Sequence, residues 1–556
     1  MATKQWWQDG VIYQVYPRSF QDSTGDGVGD LRGILARLDY LVELGVDALW
    51  VSPFYPSPMA DFGYDVANYC DVDPLFGTLA DFDALLAGAH ARGLKLILDF
   101  VPNHSSDQHP WFLESRSSRT NPKRDWYLWH EAGPDGAPPN NWISHFGGSA
   151  WTWDELTRQF YYHSFLTKQP DLNWRNPEVR QAMYDAMSFW LGRGEKGGGE
   201  KGGGEKGGGE KGRGVDGFRM DVLWLLIKDD QFRSNPVNST YSGGNEFRPI
   251  EALYTADRPE TQEIVREMRT LLESYGERVL IGEIYLPVEQ LVTYYGASVA
   301  EGPEEPELRG AQMPFNFHLI LVEWEAEAIC GVIRRYEAAL PSGAWPNWVL
   351  GNHDQKRLTS RVGTDQARVA AMLLLTLRGT PTMYYGDELG MLDAQIAASE
   401  VVDPAEKNQP GLGLGRDPER SPMLWENREN AGFTLPGVKT WLPLVWDWPK
   451  WTVETESDEP RSVLALYRRL LKLRRQHTAL HAGSVSDVRA LDGVLSFVRG
   501  QGEFELHLNL TDELRWVECR AGRVLLSTFL DGDGQGVSGW VSLRGNEGVL
   551  IELFSE

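Results

Sequence analysis

Apolar runs of strand length alternate along the chain with amphipathic runs of helix length, a pattern typical of parallel βαβ units. Helix-length stretch 78–93 begins at Thr78, a favourable N-cap, and ends at Gly93, which can adopt the left-handed conformation that stops a helix. Eight strands are expected, at residues 10–17, 47–53, 94–104, 215–222, 279–285, 313–320, 347–354 and 379–388. Eight strands with intervening helices predict a TIM (β/α)8 barrel, whose catalytic residues lie at the C-terminal strand ends. A doubly wound sheet is the competing fold, and the count of eight disfavours it.

Two segments interrupt this alternation. Residues 105–175 are dense in Trp, Asn, Pro and Gly and too long for a βα loop, so we expect an inserted lobe over the barrel mouth. After the helical stretch 461–477, short strand-like runs alternate with Gly and Asp, which predicts a C-terminal antiparallel β-sandwich. The expected division is barrel, lobe, barrel and sandwich, at residues 1–104, 105–175, 176–480 and 481–556.

A five-residue repeat, Glu-Lys-Gly-Gly-Gly, occupies most of residues 195–214, close before the stretch "GFRMD". Gly-rich sequence with balanced charge cannot bury enough apolar area to offset the entropy of ordering, so we expect this segment to be flexible. Its place between a helix and a strand assigns it to the N-terminal face of the barrel, away from catalytic residues. We therefore expect its deletion to preserve activity.

Composition excludes several classes of partner. The 556-residue chain has a formal net charge of -25, which disfavours nucleic acid and anionic substrates and suits a neutral one. No apolar run is long enough to span a membrane, and the N-terminus lacks the apolar stretch of a signal peptide. Three widely separated cysteines do not form a disulfide framework, which favours a cytoplasmic location. The sequence leaves the oligomeric state open.

Polar residues gather at the ends of the expected strands. They are Asn103, His104, Arg219, Asp221, Glu283, His353 and Asp354. Hydrolysis of a neutral glycoside uses one carboxylate to attack the anomeric carbon and a second, with a raised pKa, to protonate the leaving oxygen. Three carboxylates converging on one rim therefore indicate glycoside chemistry.

The stretches "DFVPNH" (99–104), "QPDLNW" (169–174), "GFRMD" (217–221), "GEIY" (282–285) and "GNHD" (351–354) resemble the α-amylase superfamily of glycoside hydrolases. Within it, the chain resembles the exo-acting bacterial α-glucosidases and oligo-1,6-glucosidases. The resemblance implies a retaining mechanism without a catalytic cofactor, with Asp221 as nucleophile, Glu283 as general acid/base and Asp354 as the carboxylate that stabilises the transition state. It also implies that Arg219 orients the nucleophile and that His104 and His353 bind sugar hydroxyls.

Two further stretches resemble the segments that close the sugar pocket in this family: "DFGYD" (61–65) and "GRDPERSPMLW" (415–425). An ion pair between Asp61 and Arg416 would floor the pocket and admit only a terminal glucose. Tyr64 would stack on the sugar and Arg420 would lie toward the leaving group. Val222 resembles members that accept α-1,6 bonds, but α-1,4 glucosides, sucrose and trehalose stay open as substrates.

The stretch "DSTGDGVGD" (22–30) places oxygen ligands at alternate positions. The candidate ligands are Asp22, Thr24, Asp26, the Val28 carbonyl and Asp30. Gly33 stands where an EF-hand loop has its bidentate Glu, so this is not an EF-hand. Because the resembled family has a cation site here, a structural Ca²⁺ or Mg²⁺ is expected.

Two alternatives remain open. A transglucosidase or sucrose isomerase would use the same covalent intermediate and pass the glucosyl group to a sugar instead of water. A non-catalytic member of the superfamily would lack the carboxylates, and this chain has all three.

Overall fold

The computed structural model describes residues 5–193, 214–241, 249–298 and 307–554. Of the repeat at 195–214, only Gly214 belongs to these residues. The predicted flexibility of the repeat therefore concerns residues outside the described ranges.

The strands of the described residues are numbered in chain order: β1 Ile12–Val15, β2 Ala48–Val51, β3 Lys95–Phe100, β4 Trp129–His130, β5 Trp151–Asp154, β6 Gln159–Tyr162, β7 Gly217–Met220, β8 Val279–Gly282, β9 Met313–Pro314, β10 Asn347–Val349, β11 Thr380–Tyr384, β12 Val485–Leu491, β13 Val494–Arg499, β14 Phe504–Asn509, β15 Arg515–Ser527, β16 Gly536–Leu543 and β17 Gly548–Leu553. The α-helices are α1 Trp6–Asp9, α2 Pro17–Phe20, α3 Leu31–Ala36, α4 Leu38–Leu44, α5 Leu79–Ala91, α6 Pro110–Ser117, α7 Pro177–Leu191, α8 Thr261–Ser274, α9 Val288–Leu291, α10 His318–Leu321, α11 Ala326–Ala339, α12 Leu358–Val362, α13 Thr364–Thr376, α14 Pro404–Asn408, α15 Val453–Asp458, α16 Val463–Gln476 and α17 Thr478–His481.

Eight parallel strands form a nearly closed barrel in the order β10-β11-β1-β2-β3-β7-β8-β9, which confirms the predicted (β/α)8 fold. The gap between β9 and β10 is bridged by a side chain. Asn347 Nδ2 donates to the Pro314 carbonyl at 2.5 Å, and Asn347 Oδ1 accepts from the Asn316 amide at 2.9 Å. A buried amide therefore closes the barrel where the described backbone ladder stops.

Each of the eight predicted strands contains an observed one, but the observed strands are shorter. The prediction for residues 313–320 was wrong beyond Pro314, because the last part of that run is α10. The ladder to β8 ends with the Phe315 amide, which donates to the Gly282 carbonyl at 2.8 Å, and the next amide, that of Asn316, donates to the Asn347 side chain instead. The helix prediction holds at both ends: Thr78 and Asp81 exchange side-chain-to-backbone hydrogen bonds at the start of α5, and Gly93 has φ +78° after its end.

The barrel strands bury both faces, as expected for a sheet covered by helices. Inward-facing residues such as Ile12, Trp50, Ile97 and Ile281 form one apolar cluster. Outward-facing neighbours such as Leu49 pack into the larger cluster with the helices. Side chains alternate with period two along a strand, so the inward-facing series continues through Asp99, Arg219, Asp221 and Glu283 at the C-terminal ends. The fold thereby positions the site.

Between β3 and β7 the chain forms a lobe with a three-stranded antiparallel sheet in the order β4-β6-β5. Its aromatic core includes Trp142, Trp151 and Tyr162, with Phe232 packed against it from the segment after β7. The lobe therefore packs onto residues that follow β7 in the barrel.

The C-terminal region is antiparallel, as predicted, and its strands form one continuous six-stranded sheet in the order β12-β13-β14-β17-β15-β16. Leu495, Phe497 and Leu506 join the main core from one face, while Val494, Val541 and Ile551 form a separate cluster. In the described part of the chain, no helix has the length and apolarity needed to cross a membrane.

Candidate active site

A cavity of about 450 Å³ opens at the C-terminal end of the barrel. Eight of the residues singled out from the sequence line it: Asp61, Tyr64, His104, Asp221, Val222, Glu283, Asp354 and Arg416. Arg219, His353 and Arg420 lie behind this lining and are fully buried. Arg219 contacts Asp221, as its expected role of orienting the nucleophile requires, while contact of His353 and Arg420 with a sugar stays a prediction.

Arg219 stands at the centre of the carboxylates. Its Nη1 donates to Asp99 Oδ1 at 2.7 Å and to Asp221 Oδ1 at 2.9 Å. Its Nη2 lies 2.7 Å from Glu283 Oε2 as an ion pair, without the direction of a hydrogen bond. A single guanidinium thus holds three carboxylates that would otherwise repel one another in a buried site.

Asp221 and Glu283 behave as a coupled pair. Burial raises the pKa of both carboxyl groups, and for Asp221 the charge of Glu283 raises it further. Arg219 opposes both rises. The raised pKa values belong to the pair, which therefore keeps one proton to higher pH than two solvated carboxyl groups would.

Asp354 is an anion. Burial raises its pKa, but the three guanidinium groups of Arg420, Arg416 and Arg219 oppose burial, and that pKa is held below its usual range. Arg420 Nη2 donates to Asp354 Oδ1 at 2.7 Å, and Arg416 Nη1 donates to the same oxygen at 3.3 Å. Arg420 Nε also donates to the His353 carbonyl at 2.7 Å. Arg420 thus fixes Asp354 from behind the lining, and its expected place toward the leaving group stays a prediction.

The ion pair predicted between Asp61 and Arg416 is present, with Arg416 Nη2 donating to Asp61 Oδ1 at 2.6 Å. A third residue completes it: Arg416 Nε donates to Asp403 Oδ2 at 2.7 Å. Gln169 Nε2 donates to Asp61 Oδ2 at 3.1 Å from the other side. Both ends of the pair are therefore held in place by groups outside it.

Tyr64 and His104 line the other wall, and His353 lies behind Tyr64. The Tyr64 ring stacks on His353 with centroids 5.3 Å apart, and its hydroxyl contacts His353 Nε2. Burial lowers the pKa of His353 well below its usual value and that of His104 to about 4, so both rings are neutral near pH 7. His104 Nε2 lies 3.2 Å from Gln169 Nε2.

Sequence reasoning missed several residues of this site. Asp99 and Gln169 each stand first in a motif that was recognised, so their position was a usable signal. Asp403 had no such signal, because it lies in no recognised stretch and meets Arg416 only through folding. The remaining lining residues include Phe146, Phe165, Trp224, Tyr285, Gln355 and Leu414, most of them apolar.

The candidate cation loop is closed by its own hydrogen bonds. Asp22 accepts amide hydrogens from Thr24, Gly25 and Gly27 at 2.7–2.8 Å. Asp30 caps α3 by accepting from the Gly33 amide at 2.8 Å. Nowhere in the described ranges do three His, Cys, Asp or Glu side chains gather closely enough to hold a metal. The structural cation stays a prediction.

Comparison with known proteins agrees with this geometry. The alpha-amylase family, described as "Alpha amylase, catalytic domain", matches residues 14–198 and 210–483, and the interval between them falls within the repeat. A probable alpha-glucosidase of Rhizobium meliloti (strain 1021) is 40% identical over 551 residues, which cover 95% of each chain. An oligo-1,6-glucosidase of Parageobacillus thermoglucosidasius is 37% identical over 518 residues, covering 86% of this chain and 85% of that protein. Among solved structures, the alpha-glucosyl transfer enzyme XgtA superposes with a TM-score of 0.88 at 39% identity, over 99% of each chain. The chain belongs to the alpha-amylase family.

Proposed function

We propose that this protein is a retaining, exo-acting α-glucosidase that releases terminal, non-reducing α-linked glucose from disaccharides and short oligosaccharides. The observation that carries the proposal is a cavity with three carboxylates on its wall and the Asp61–Arg416 ion pair among its lining residues. Similarity to a probable alpha-glucosidase and to an oligo-1,6-glucosidase supports the same reaction. The linkage preference between α-1,4 and α-1,6 bonds remains to be measured.

The reaction proceeds in two displacements. In the first, a carboxylate oxygen of Asp221 attacks the anomeric carbon while Glu283 gives its proton to the departing glycosidic oxygen, which leaves a covalent glucosyl-enzyme. In the second, Glu283 takes a proton from water, and the resulting hydroxide displaces Asp221. Two inversions return the α configuration, and Glu283 is protonated again for the next cycle.

The proton shared by Asp221 and Glu283 suits these roles, because the first displacement needs one ionised and one protonated carboxyl group. Asp354 stays ionised and faces the cavity, where its charge favours the positive character that develops at the anomeric carbon. Arg219 balances the nucleophile's charge from behind.

Exo action is tested by digesting maltoheptaose and sampling products early. The proposal expects glucose and maltohexaose to appear first, with α-glucose as the initial anomer by NMR. The Asp221→Asn variant should fold normally and show no turnover, since it removes the nucleophile and little volume. Early maltotriose and maltotetraose, or a rapid loss of viscosity in starch, would show internal cleavage and contradict exo action.

Transfer of glucose to another sugar is the second candidate function. Similarity to an alpha-glucosyl transfer enzyme over 99% of each chain favours it. The same covalent intermediate serves both reactions, and the outcome depends on whether water or a sugar accepts the glucosyl group. Product analysis at high maltose and high sucrose separates them: hydrolysis gives monosaccharides only, whereas transfer gives longer or isomerised sugars. A non-catalytic role is disfavoured because the three carboxylates converge in one cavity.

We further infer a cytoplasmic location, supported by three free cysteines, Cys70, Cys330 and Cys519, of which the last two are buried. Cell fractionation with an activity assay tests this, and activity outside the cytoplasmic fraction would contradict it.

A further inference from the structure

The backbone turns sharply immediately after Asp221. Val222 has φ +37° and ψ +45°, which is left-handed. Among the described residues that line the cavity, Val222 alone has a positive φ. A β-branched residue adopts this conformation at a cost, and such conformations cluster at functional sites. The left-handed conformation of Val222 therefore indicates a functional role for this turn.

The turn directs a backbone amide at the side chain of Glu283. In the parallel ladder between β7 and β8, the Glu283 amide donates to the Met220 carbonyl at 2.9 Å. A continued ladder would direct the next N–H, that of Val222, at the main-chain carbonyl of Glu283. Instead, the Val222 amide donates to Glu283 Oε2 at 2.8 Å. The side-chain carboxylate thus takes the place of the next backbone acceptor.

The same oxygen, Oε2, also faces Arg219 Nη2 at 2.7 Å. Since Oε2 receives an N–H donor and a cation, a proton on Glu283 is favoured on Oε1. We propose that the left-handed turn at Val222 is a positioning device: its amide fixes the rotation of the Glu283 carboxyl group so that Oε1 carries the acidic proton to the glycosidic oxygen. This inference rests on the proposed role of Glu283 as acid/base.

The direction of the pH effect follows from the chemistry of the hydrogen bond. An amide donor favours the ionised carboxylate, so the Val222 N–H lowers the pKa of Glu283 and its removal raises that pKa. The other charged and titratable groups that act on Glu283 come from several elements: Arg219 and Asp221 at the end of β7, Asp99 in β3, Asp354 after β10, and Tyr285 after β8. All of them stay in place when only the amide is changed.

The test replaces residue 222 by the α-hydroxy acid analogue of valine, introduced by nonsense suppression, which substitutes an ester oxygen for the N–H and keeps the side chain. Turnover falls on the basic side when Glu283 loses its proton, so we expect the basic limb of the kcat profile with maltose to move to higher pH by about one unit. We also expect kcat at the optimum to fall about tenfold, because the carboxyl group loses its fixed rotation.

The matched control is the α-hydroxy acid analogue of leucine at residue 225. The Leu225 amide donates to the Val222 carbonyl at 2.9 Å, so this ester removes a hydrogen bond of the same turn without removing a donor to Glu283. Its basic limb should coincide with that of the wild type. The Val222→Gly variant keeps the amide and tolerates a positive φ, and its basic limb should also be unchanged.

An unchanged basic limb in the residue-222 ester, with the wild-type enzyme active, overturns the positioning proposal and leaves the proposed function standing. A limb that moves equally in the residue-225 ester or in Val222→Gly also overturns it, because the turn or the side chain would then be responsible. A wild-type protein without α-glucosidase activity overturns the proposed function itself.

Discussion

The Arg416 guanidinium donates to two carboxylates, and sequence reasoning predicted only one of them, that of Asp61. Asp61 takes its Nη2 and Asp403 takes its Nε. Replacing Asp403 with Asn removes one charge from this largely buried group and loosens the orientation of the guanidinium. We expect KM for maltose to rise about tenfold, with a smaller change in kcat, since the ion pair acts mainly on the bound glucose.

The matched control for this change is Glu406→Gln in α14, the helix that Asp403 caps, where the Glu406 carboxylate accepts from the Gly411 amide. Steady-state kinetics of both variants checks the prediction. A KM that is unchanged in Asp403→Asn, or raised equally in the control, would show that Asp403 does not support the pocket.

At this scale, the sequence indicated the residues whose chemistry is distinctive and missed those that act through another residue. The Asp61–Arg416 pair was predicted because both lie in stretches that resemble known ones. Asp403 was missed because its effect depends on a contact across the fold. Arg420 was singled out from the sequence, but its contact with Asp354 was not predicted, since sequence position does not reveal which buried carboxylate a side chain reaches.

Among the elements, β9 and β10 are joined by one amide side chain. Replacing Asn347 with Ala would leave the buried Pro314 carbonyl and Asn316 amide without these partners. Each orphaned buried group costs on the order of 1 to 3 kcal/mol, so we expect the free energy of unfolding to fall by about 3 kcal/mol. Urea denaturation monitored by tryptophan fluorescence measures this. A loss below about 0.5 kcal/mol, the range of ordinary surface changes, would contradict the bridging role.

Hydrophobic patterning predicted the strand cores but not their ends. Leu96, Ile97 and Leu98 place apolar side chains on both faces of the strand, and this pattern predicts a buried strand. The strand was expected to continue to His104, yet it stops at Phe100. Asn103 and His104 instead bond to the lobe segment, Asn103 Nδ2 donating to Asp171 Oδ2 at 2.9 Å. A periodic pattern cannot show that polar contacts to a distant segment end a strand.

For the whole molecule, the two described ends that flank the repeat lie side by side. The Val215 amide donates to the Trp190 carbonyl at 3.2 Å, so the end of α7 already meets the approach to β7. Deleting residues 195–214 should therefore join neighbouring points without strain. We expect kcat and KM for maltose to be unchanged and the free energy of unfolding to be equal or up to about 1 to 2 kcal/mol higher, since a shorter loop costs less to close.

This deletion is compared with the full chain by kinetics and urea denaturation. A folded deletion variant with a large loss of turnover would show that residues 195–214 contribute to catalysis.

The loop of residues 22–30 joins distant parts of the chain: Thr434 Oγ1 donates to Asp22 Oδ2, and the Trp441 amide donates to the Gly27 carbonyl at 3.0 Å. We propose that this loop also holds the expected Ca²⁺ or Mg²⁺, whose binding would replace some of the hydrogen bonds that the Asp22 carboxylate accepts. If so, chelation should lower Tm, and added Ca²⁺ should restore it. An unchanged Tm after chelation would indicate that hydrogen bonds alone close the loop.

The charges around the cavity also bear on which small molecules should compete with a sugar. Four carboxylates line it, those of Asp61, Asp221, Glu283 and Asp354, and one guanidinium, that of Arg416, while the buried guanidinium groups of Arg219 and Arg420 lie behind the lining. Such an enclosure attracts cations. A protonated amine carrying hydroxymethyl groups, such as tris(hydroxymethyl)aminomethane, should therefore inhibit competitively, while uncharged pentaerythritol of similar shape should not. Equal inhibition by both would contradict this. Because the amine competes with the sugar, kinetics recorded in an amine buffer would give an apparent KM that is too high. Protonated polyhydroxylated amines are therefore a suitable chemical class from which to design inhibitors.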